Sequence, residues 1–151
     1  MQIREVIARA GLIACLAGCS GVVQDHAADL GVSGPGNVRL GSPAKIVVSV
    51  TPNSDVVQLA IVFADGWLDN NSLLGAGACK PSNSIAGELT CGPLKAGHAA
   101  KFALTAIAKK AGSNAYSVAV RDVGSTGTDS QPVLKDANGI EAFLHFTEVV
   151  T

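Results

Sequence analysis

Hydrophobic and polar residues alternate with a period of two along most of the chain from residue 29 onward. The pattern is clearest over residues 44–51, where Ile46, Val48 and Val50 fall on one face of an extended chain. Such alternation is typical of a β-strand with one buried face. The same pattern predicts long strands at residues 56–63, 98–108, 114–122 and 140–147, and short strands at residues 29–33, 73–78 and 88–91.

The predicted strands differ in which residues they direct toward the core. Residues 56–63 are apolar on both faces, which predicts a central, well-covered strand. His145 alternates with apolar neighbours and is expected to face outward. The predicted inward residues are Val57, Leu59, Ile61 and Phe63 in one strand, Phe102, Leu104 and Ala106 in the next, Tyr116, Val118 and Val120 in the third, and Ile140, Ala142, Leu144 and Phe146 in the last.

The spacing of these strands indicates the fold class. Glycine, proline and asparagine separate the strands, and no segment shows the period of a long amphipathic helix. About seven short strands joined by turns are typical of an antiparallel Ig-like β-sandwich. We therefore predict an all-β fold of this kind.

Composition narrows the class of protein further. The chain of 151 residues is 48% hydrophobic and 15% charged, so it can bury a core, which argues against wholesale disorder. Aromatic residues make up 4%, so that core must consist mainly of Val, Ile, Leu and Ala. The formal net charge of -1 provides no electrostatic footprint for a nucleic acid, and we expect no nucleic-acid partner.

The N-terminal segment has the layout of a secretory signal. Arg4 and Arg9 make the N-terminal region positive, and an uncharged, mostly apolar run follows over residues 10–18. This run is too short to cross a hydrocarbon core of about 30 Å as a helix, and it fits the apolar region of a signal peptide. The alternative is a buried N-terminal helix, which the small residues and the cysteine at the end of the run disfavour.

The end of that run, Leu16-Ala17-Gly18-Cys19, resembles the lipobox of bacterial lipoproteins. The resemblance implies that the Cys19 thiol receives a diacylglyceryl group, that a peptidase cleaves before Cys19, and that the new amino group can be acylated, for example with palmitate. A thiolate is a suitable nucleophile for this transfer, and several acyl chains anchor a protein firmly in a membrane. Ser20 at the next position is compatible with an outer-membrane location if the host is Gram-negative.

These features predict three segments and a location. We expect a signal peptide over residues 1–18, a lipidated N-terminus and short tether over residues 19–28, and an Ig-like domain over residues 29–151. The predicted location is the cell envelope, with the domain facing outside the cytoplasm and membrane lipid as a partner through the acyl anchor.

The cysteines are consistent with this location. Cys15 lies in the predicted signal peptide and Cys19 is the predicted lipidation site, so Cys79 and Cys91 remain. In an oxidising compartment this pair is expected to form a disulfide, with two free thiols as the alternative. A zinc site is not expected, because the pair lacks both a CxxC spacing and a histidine motif.

A second resemblance covers residues 29–121. The segments 28–32, 41–51, 89–97 and 102–106, together with Cys79, are similar to the bacterial cell-surface conserved repeat domain. The resemblance implies an Ig-like module on an envelope protein and transfers little chemistry. The chain departs from the family in carrying one copy and in lacking the acidic, Asn-rich end of the repeat.

Motifs for catalysis are absent from the sequence. His26, His98 and His145 have no metal-ligand spacing, and there is no GxSxG nucleophile elbow. We therefore expect neither an enzyme nor a cofactor.

Two loops could carry recognition. The segment 65–71 offers Asp65, Trp67, Asp69 and Asn70 as candidate binding residues for calcium or a carbohydrate. The favoured alternative is a hydrophilic turn with Trp67 folded against the rim of the core, because the calcium-loop spacing is absent. The second loop, residues 123–138, could bind a ligand or could be a linker between strands.

The sequence thus predicts a non-catalytic, lipid-anchored envelope protein with a binding, adhesion or structural role. The alternatives are a subunit of an envelope complex that donates a strand edge, or a small calcium- or carbohydrate-binding module that uses the segment 65–71. An envelope protein or a glycan is a possible partner, and the sequence does not specify one.

Overall fold

A computed structural model describes residues 28–64, 66–83, 85–123, 134 and 143–151. These residues form two β-sheets and one short helix, which confirms the predicted all-β sandwich. In chain order, the elements are β1 (Ala28–Ser33), β2 (Gly36–Val38), β3 (Pro43–Pro52), β4 (Leu59–Phe63), α1 (Trp67–Asn70), β5 (Asn71–Gly75), β6 (Lys80–Pro81), β7 (Glu88–Cys91), β8 (Ala100–Ala108), β9 (Gly112–Asp122) and β10 (Phe143–Val150).

The strands are divided unequally between the sheets. One sheet has four strands in the order β1-β3-β8-β5, and the other has six in the order β2-β10-β9-β4-β7-β6. Helix α1 is the only helix in the described part of the chain, and no helix there is long and apolar enough to cross a membrane.

The core lies between the two sheets and is built from the alternating residues of the long strands. Ile46, Val48 and Val50 of β3 are buried, as predicted. The predicted inward residues of β8 and β9 are buried as well. Val57 is a correction: it is 62% exposed, because β4 begins only at Leu59 and Val57 belongs to the preceding loop.

The last strand shows the predicted alternation, but its bounds differ from the predicted residues 140–147. Phe146 is buried and His145 is exposed, as expected, and β10 continues beyond the predicted end to Val150. Ile140 and Ala142 lie outside the described residues.

One pairing departs from the antiparallel prediction. Strand β2 runs parallel to β10, because the chain crosses from the four-stranded to the six-stranded sheet between β1 and β2. Gly34 lies at this crossing, where a Cβ atom would come within 2.7 Å of Cδ2 of Phe146. A larger residue would therefore have to displace a core side chain.

Candidate functional site

The segment 65–71 connects β4 to β5 across one end of the sandwich and contains α1. Gly66 precedes the helix with a φ of 89°, a left-handed conformation that glycine adopts without strain. Asp65, one of the predicted binding residues, lies outside the described residues.

Trp67 points into the core and not toward solvent. Its side chain is 1% exposed, and its ring stacks on that of Phe63 with centroids 4.0 Å apart and an interplanar angle of 15°. The expected packing against the core is therefore confirmed. The carbohydrate-stacking alternative does not hold for Trp67, because the ring offers no face to a sugar in solvent.

Asn70, at the end of α1, and Asn71, at the start of β5, each donate a hydrogen bond to the six-stranded sheet. Nδ2 of Asn70 donates to the hydroxyl of Tyr116 over 3.0 Å, and Nδ2 of Asn71 donates to Oε2 of Glu148 over 3.1 Å. Asn71 belongs to the four-stranded sheet, whereas Tyr116 and Glu148 belong to the six-stranded sheet. We call these four residues the polar cluster. The cluster uses Asn70, a predicted binding residue, to hold the sandwich together.

The Asn71–Glu148 pair of the polar cluster is almost completely shielded from water. Asn71 and Glu148 are each 1% exposed, and Oδ1 of Asn71 has no hydrogen-bond partner. Burial raises the pKa of Tyr116 above its ordinary value, and the nearby Glu148 carboxylate adds to the effect. The hydrogen bond from Asn70 acts in the opposite direction by stabilising the phenolate.

Lys109, in the connection between β8 and β9, holds the helix through two hydrogen bonds. Its Nζ donates to the carbonyl of Leu68 over 3.1 Å, and its backbone N–H donates to the carbonyl of Asn70 over 2.8 Å. Asp69 is exposed at the surface of the same helix. Among the described residues, no group of three His, Cys, Asp or Glu side chains could hold a metal ion.

The predicted disulfide is present and buried. Cys79 precedes β6 and Cys91 ends β7, and their Cα atoms are 4.3 Å apart across a sequence separation of 12 residues. Both side chains lie in the hydrophobic core. The bond thus fixes the edge of the six-stranded sheet to the core.

Asp55 joins two loops at the end of the sandwich opposite α1. Its carboxylate accepts hydrogen bonds from the backbone N–H of Ala96 over 2.9 Å and from Nζ of Lys95 over 2.6 Å. The Ala96 bond, followed by the Lys95 bond, holds the pKa of Asp55 below its ordinary value. The group is exposed, so this contact mainly sets the loop conformation.

Most of the second predicted loop, residues 124–133 and 135–138, lies outside the described residues. Leu134 is an exception, because it is fully buried and its backbone N–H donates to the carbonyl of Val120 over 3.0 Å. This contact is not predicted from the sequence, where Val133 and Leu134 in a largely polar segment are the signal for it. His145 is exposed, as predicted, and His98 is exposed as well.

Comparisons with known proteins support the fold but do not assign the chain to a family. No protein-family model matches the chain, and no curated protein matches it. The resemblance to the cell-surface repeat family therefore stays a prediction.

Several solved structures are similar to the chain. The solution structure of CaCohA2 from Clostridium acetobutylicum has 16% sequence identity and a TM-score of 0.51, covering 85% of this chain and 94% of that chain. The reeler domain of human F-spondin has 10% identity and a TM-score of 0.49, covering 88% and 100% respectively. The CARDB domain of a Pyrococcus furiosus protein has 13% identity and a TM-score of 0.48, covering 85% and 90%. Because the sequence identity is low, the likeness to CaCohA2 shows the fold alone, which is an Ig-like β-sandwich.

Proposed function

We propose that the chain is a lipid-anchored protein of the cell envelope whose Ig-like domain binds another macromolecule without catalysis. The Cys79–Cys91 disulfide carries this proposal. Disulfides persist in oxidising compartments and are rare in the cytosol. The bond therefore supports the location that the segment Leu16-Ala17-Gly18-Cys19 implies on independent grounds.

The side chains near α1 support binding over catalysis. The buried polar residues there donate to and accept from one another between the sheets, as the 3.1 Å contact from Asn71 to Glu148 illustrates. A general acid or base must instead reach a substrate. CaCohA2 has also been crystallised in a complex with a variant of CaDoc0917, so at least one protein of this fold forms a complex with a second protein.

Processing at Cys19 provides the test of the anchor. Cells that express the full chain are labelled with palmitate, and the chain is recovered from the membrane fraction. We expect Cys19→Ser to abolish labelling and to leave an uncleaved precursor, because only the thiol can receive the diacylglyceryl group. Cys15→Ser is the matched control, since Cys15 lies four residues earlier in the segment that is removed.

The two outcomes are clearly separated. Loss of label in Cys19→Ser with normal labelling of Cys15→Ser supports the proposal. Normal cleavage and labelling of Cys19→Ser would show that the anchor is not at residue 19.

A further inference from the structure

The two sheets that the described residues form have four edges, and three of these edges are poorly suited to pairing with another strand. Strand β2 has three residues, and β6 has two and ends in Pro81. Strand β5 has a register shift between Leu73 and Gly75, where the ladder with β8 is interrupted. Short strands, proline and bulges are the usual means by which proteins protect an edge.

Strand β1 has none of these protections. Its six residues pair with β3 in an unbroken register from Ala28 opposite Pro52 to Ser33 opposite Val47. On its other side, no backbone hydrogen bond to a described residue is formed. A regular, open edge of this length is a template for an additional strand.

The sequence of β1 is complementary to itself in one antiparallel register. When two copies are centred on Gly31, Leu30 lies opposite Val32 of the second copy, on the face that packs against the core. On the outer face, Asp29 lies opposite Ser33 of the second copy, whose hydroxyl can donate to the carboxylate. Leu30 and Val32 are only partly buried in one copy, so pairing would cover the remaining apolar surface.

Charge also favours this register. The two Asp29 carboxylates lie four residue steps apart along the strand, a separation of roughly 14 Å. Exposed charges at that distance are largely screened at physiological ionic strength. A register centred on Asp29 would instead place the two carboxylates directly opposite each other.

We propose that two copies of the chain associate through β1, which pairs antiparallel with β1 of the second copy about a two-fold axis at Gly31. The two four-stranded sheets then form one continuous eight-stranded sheet. The second copy is the occupant that this edge fits, because residues 29–33 each meet a compatible residue of the same sequence in this register.

The strength of the association depends on the anchor, so this part rests on the proposed function. One strand pair is small compared with a standard interface of about 1,600 Å². Anchoring both copies in one membrane raises their effective concentration and favours the pair. The nine residues of the tether that precede β1, residues 19–27, reach about 30 Å when extended. The two copies of residue 28 are separated by about 20 Å or less along the paired strands.

Cysteine cross-linking tests the register. Directly opposite residues in an antiparallel pair have Cα atoms about 4.5–5.5 Å apart, within the range of a disulfide. In the variant Asp29→Cys with Ser33→Cys, residue 29 of one copy lies opposite residue 33 of the other. Both residues are exposed in the single copy. Within one copy they lie roughly 14 Å apart and cannot be bridged.

Cells express the full chain, and their membranes are isolated and treated with an oxidant. The proteins are then separated by mass without reductant. We expect a dimer of twice the monomer mass from the double variant only. The two single variants are matched controls, because the proposed register keeps the two copies of each residue about 14 Å apart. All variants retain the native Cys79–Cys91 bond.

Opposite charges at residue 33 provide a second, independent measurement. Ser33→Lys faces Asp29 of the second copy at two symmetric positions, and Ser33→Asp places like charges there. We expect the dissociation constant of the purified full chain to fall in the first variant and rise in the second, each by about twofold to thirtyfold. Trp67 fluorescence verifies that both variants are folded, since this ring is buried.

Each result decides the proposal. A double-cysteine variant that stays monomeric, or that bonds to a protein of another mass, overturns pairing with a second copy. Two charge variants that shift the dissociation constant in the same direction also overturn it. Intact mass of the same samples reports lipidation separately, so an unlipidated chain that cross-links contradicts the anchor and leaves the β1 pair standing.

Discussion

The hydrogen bond from Asn71 to Glu148 makes the stability of the sandwich depend on one buried amide. Both side chains are 1% exposed, and Nδ2 lies 3.1 Å from Oε2. Replacing Asn71 with Leu keeps a similar volume and removes this donor from a carboxylate shielded from water. A hydrogen bond to a charged group contributes about 1.5–3 kcal/mol, and an uncompensated buried charge costs about 3–5 kcal/mol. We expect Asn71→Leu to lower the free energy of unfolding by about 2–4 kcal/mol.

Substituting the acceptor separates this interaction from general damage to the core. Glu148→Met leaves the amide of Asn71 without its acceptor, which costs about 1–3 kcal/mol. When Asn71→Leu and Glu148→Met are combined, neither polar group remains. Replacing both partners of a buried pair with apolar residues is often close to neutral. The double variant is therefore expected to be more stable than Asn71→Leu alone, by about 2 kcal/mol.

Urea denaturation followed by fluorescence measures these differences. Trp67 is the only tryptophan, and it is buried in the folded sandwich, so its emission reports unfolding of the domain. The two single variants and the double variant complete a double-mutant cycle. If the double variant loses the sum of the two single losses, Asn71 and Glu148 are not coupled and the hydrogen bond does not link the sheets.

Three further predictions concern other parts of the domain. Because the folded pKa of Tyr116 is raised, its contribution to stability is present below the unfolded pKa of about 10 and is lost as pH rises through the folded value. Tyr116→Phe should reduce this alkaline loss in urea midpoints, and an identical decline in both proteins would refute the assignment. Reducing the Cys79–Cys91 bond should lower the free energy of unfolding by about 3 kcal/mol, whereas reductant should not affect a variant with both cysteines replaced by Ala. Calcium should leave the Tm unchanged in both the native chain and Asp69→Ala, and a rise that Asp69→Ala abolishes would favour the calcium-module alternative.

The long strands could be predicted because each has enough residues to show a period of two. In β3 the alternation placed Ile46, Val48 and Val50 on the buried face, as observed. Strands β2 and β6, with three and two residues, are too short to show any period, and they form through backbone pairing with β10 and β7. The disulfide followed from the number of cysteines and the expected compartment, without knowledge of the fold.

The polar cluster was harder to predict, because its burial depends on tertiary contacts. Glu148 continues the inward series of Leu144 and Phe146, so the alternation did contain a signal, but the predicted strand ended one residue before it. Asn70 and Asn71 read as loop residues, since asparagine is common in turns. Their hydrogen bonds become evident only when the end of α1 is placed beside β9 and β10. A pattern along the chain does not contain that placement.

The N-terminal residue of the mature chain tests the central claim most directly, because lipidation at Cys19 would establish both the anchor and the compartment. Intact-mass spectrometry of the chain extracted from the membranes of the producing cells measures it. We expect the mass of residues 19–151, increased by a diacylglyceryl group and an amide-linked acyl chain and decreased by the two hydrogens lost in the disulfide. An unmodified chain of all 151 residues, recovered from the soluble fraction with free thiols at Cys79 and Cys91, would contradict it.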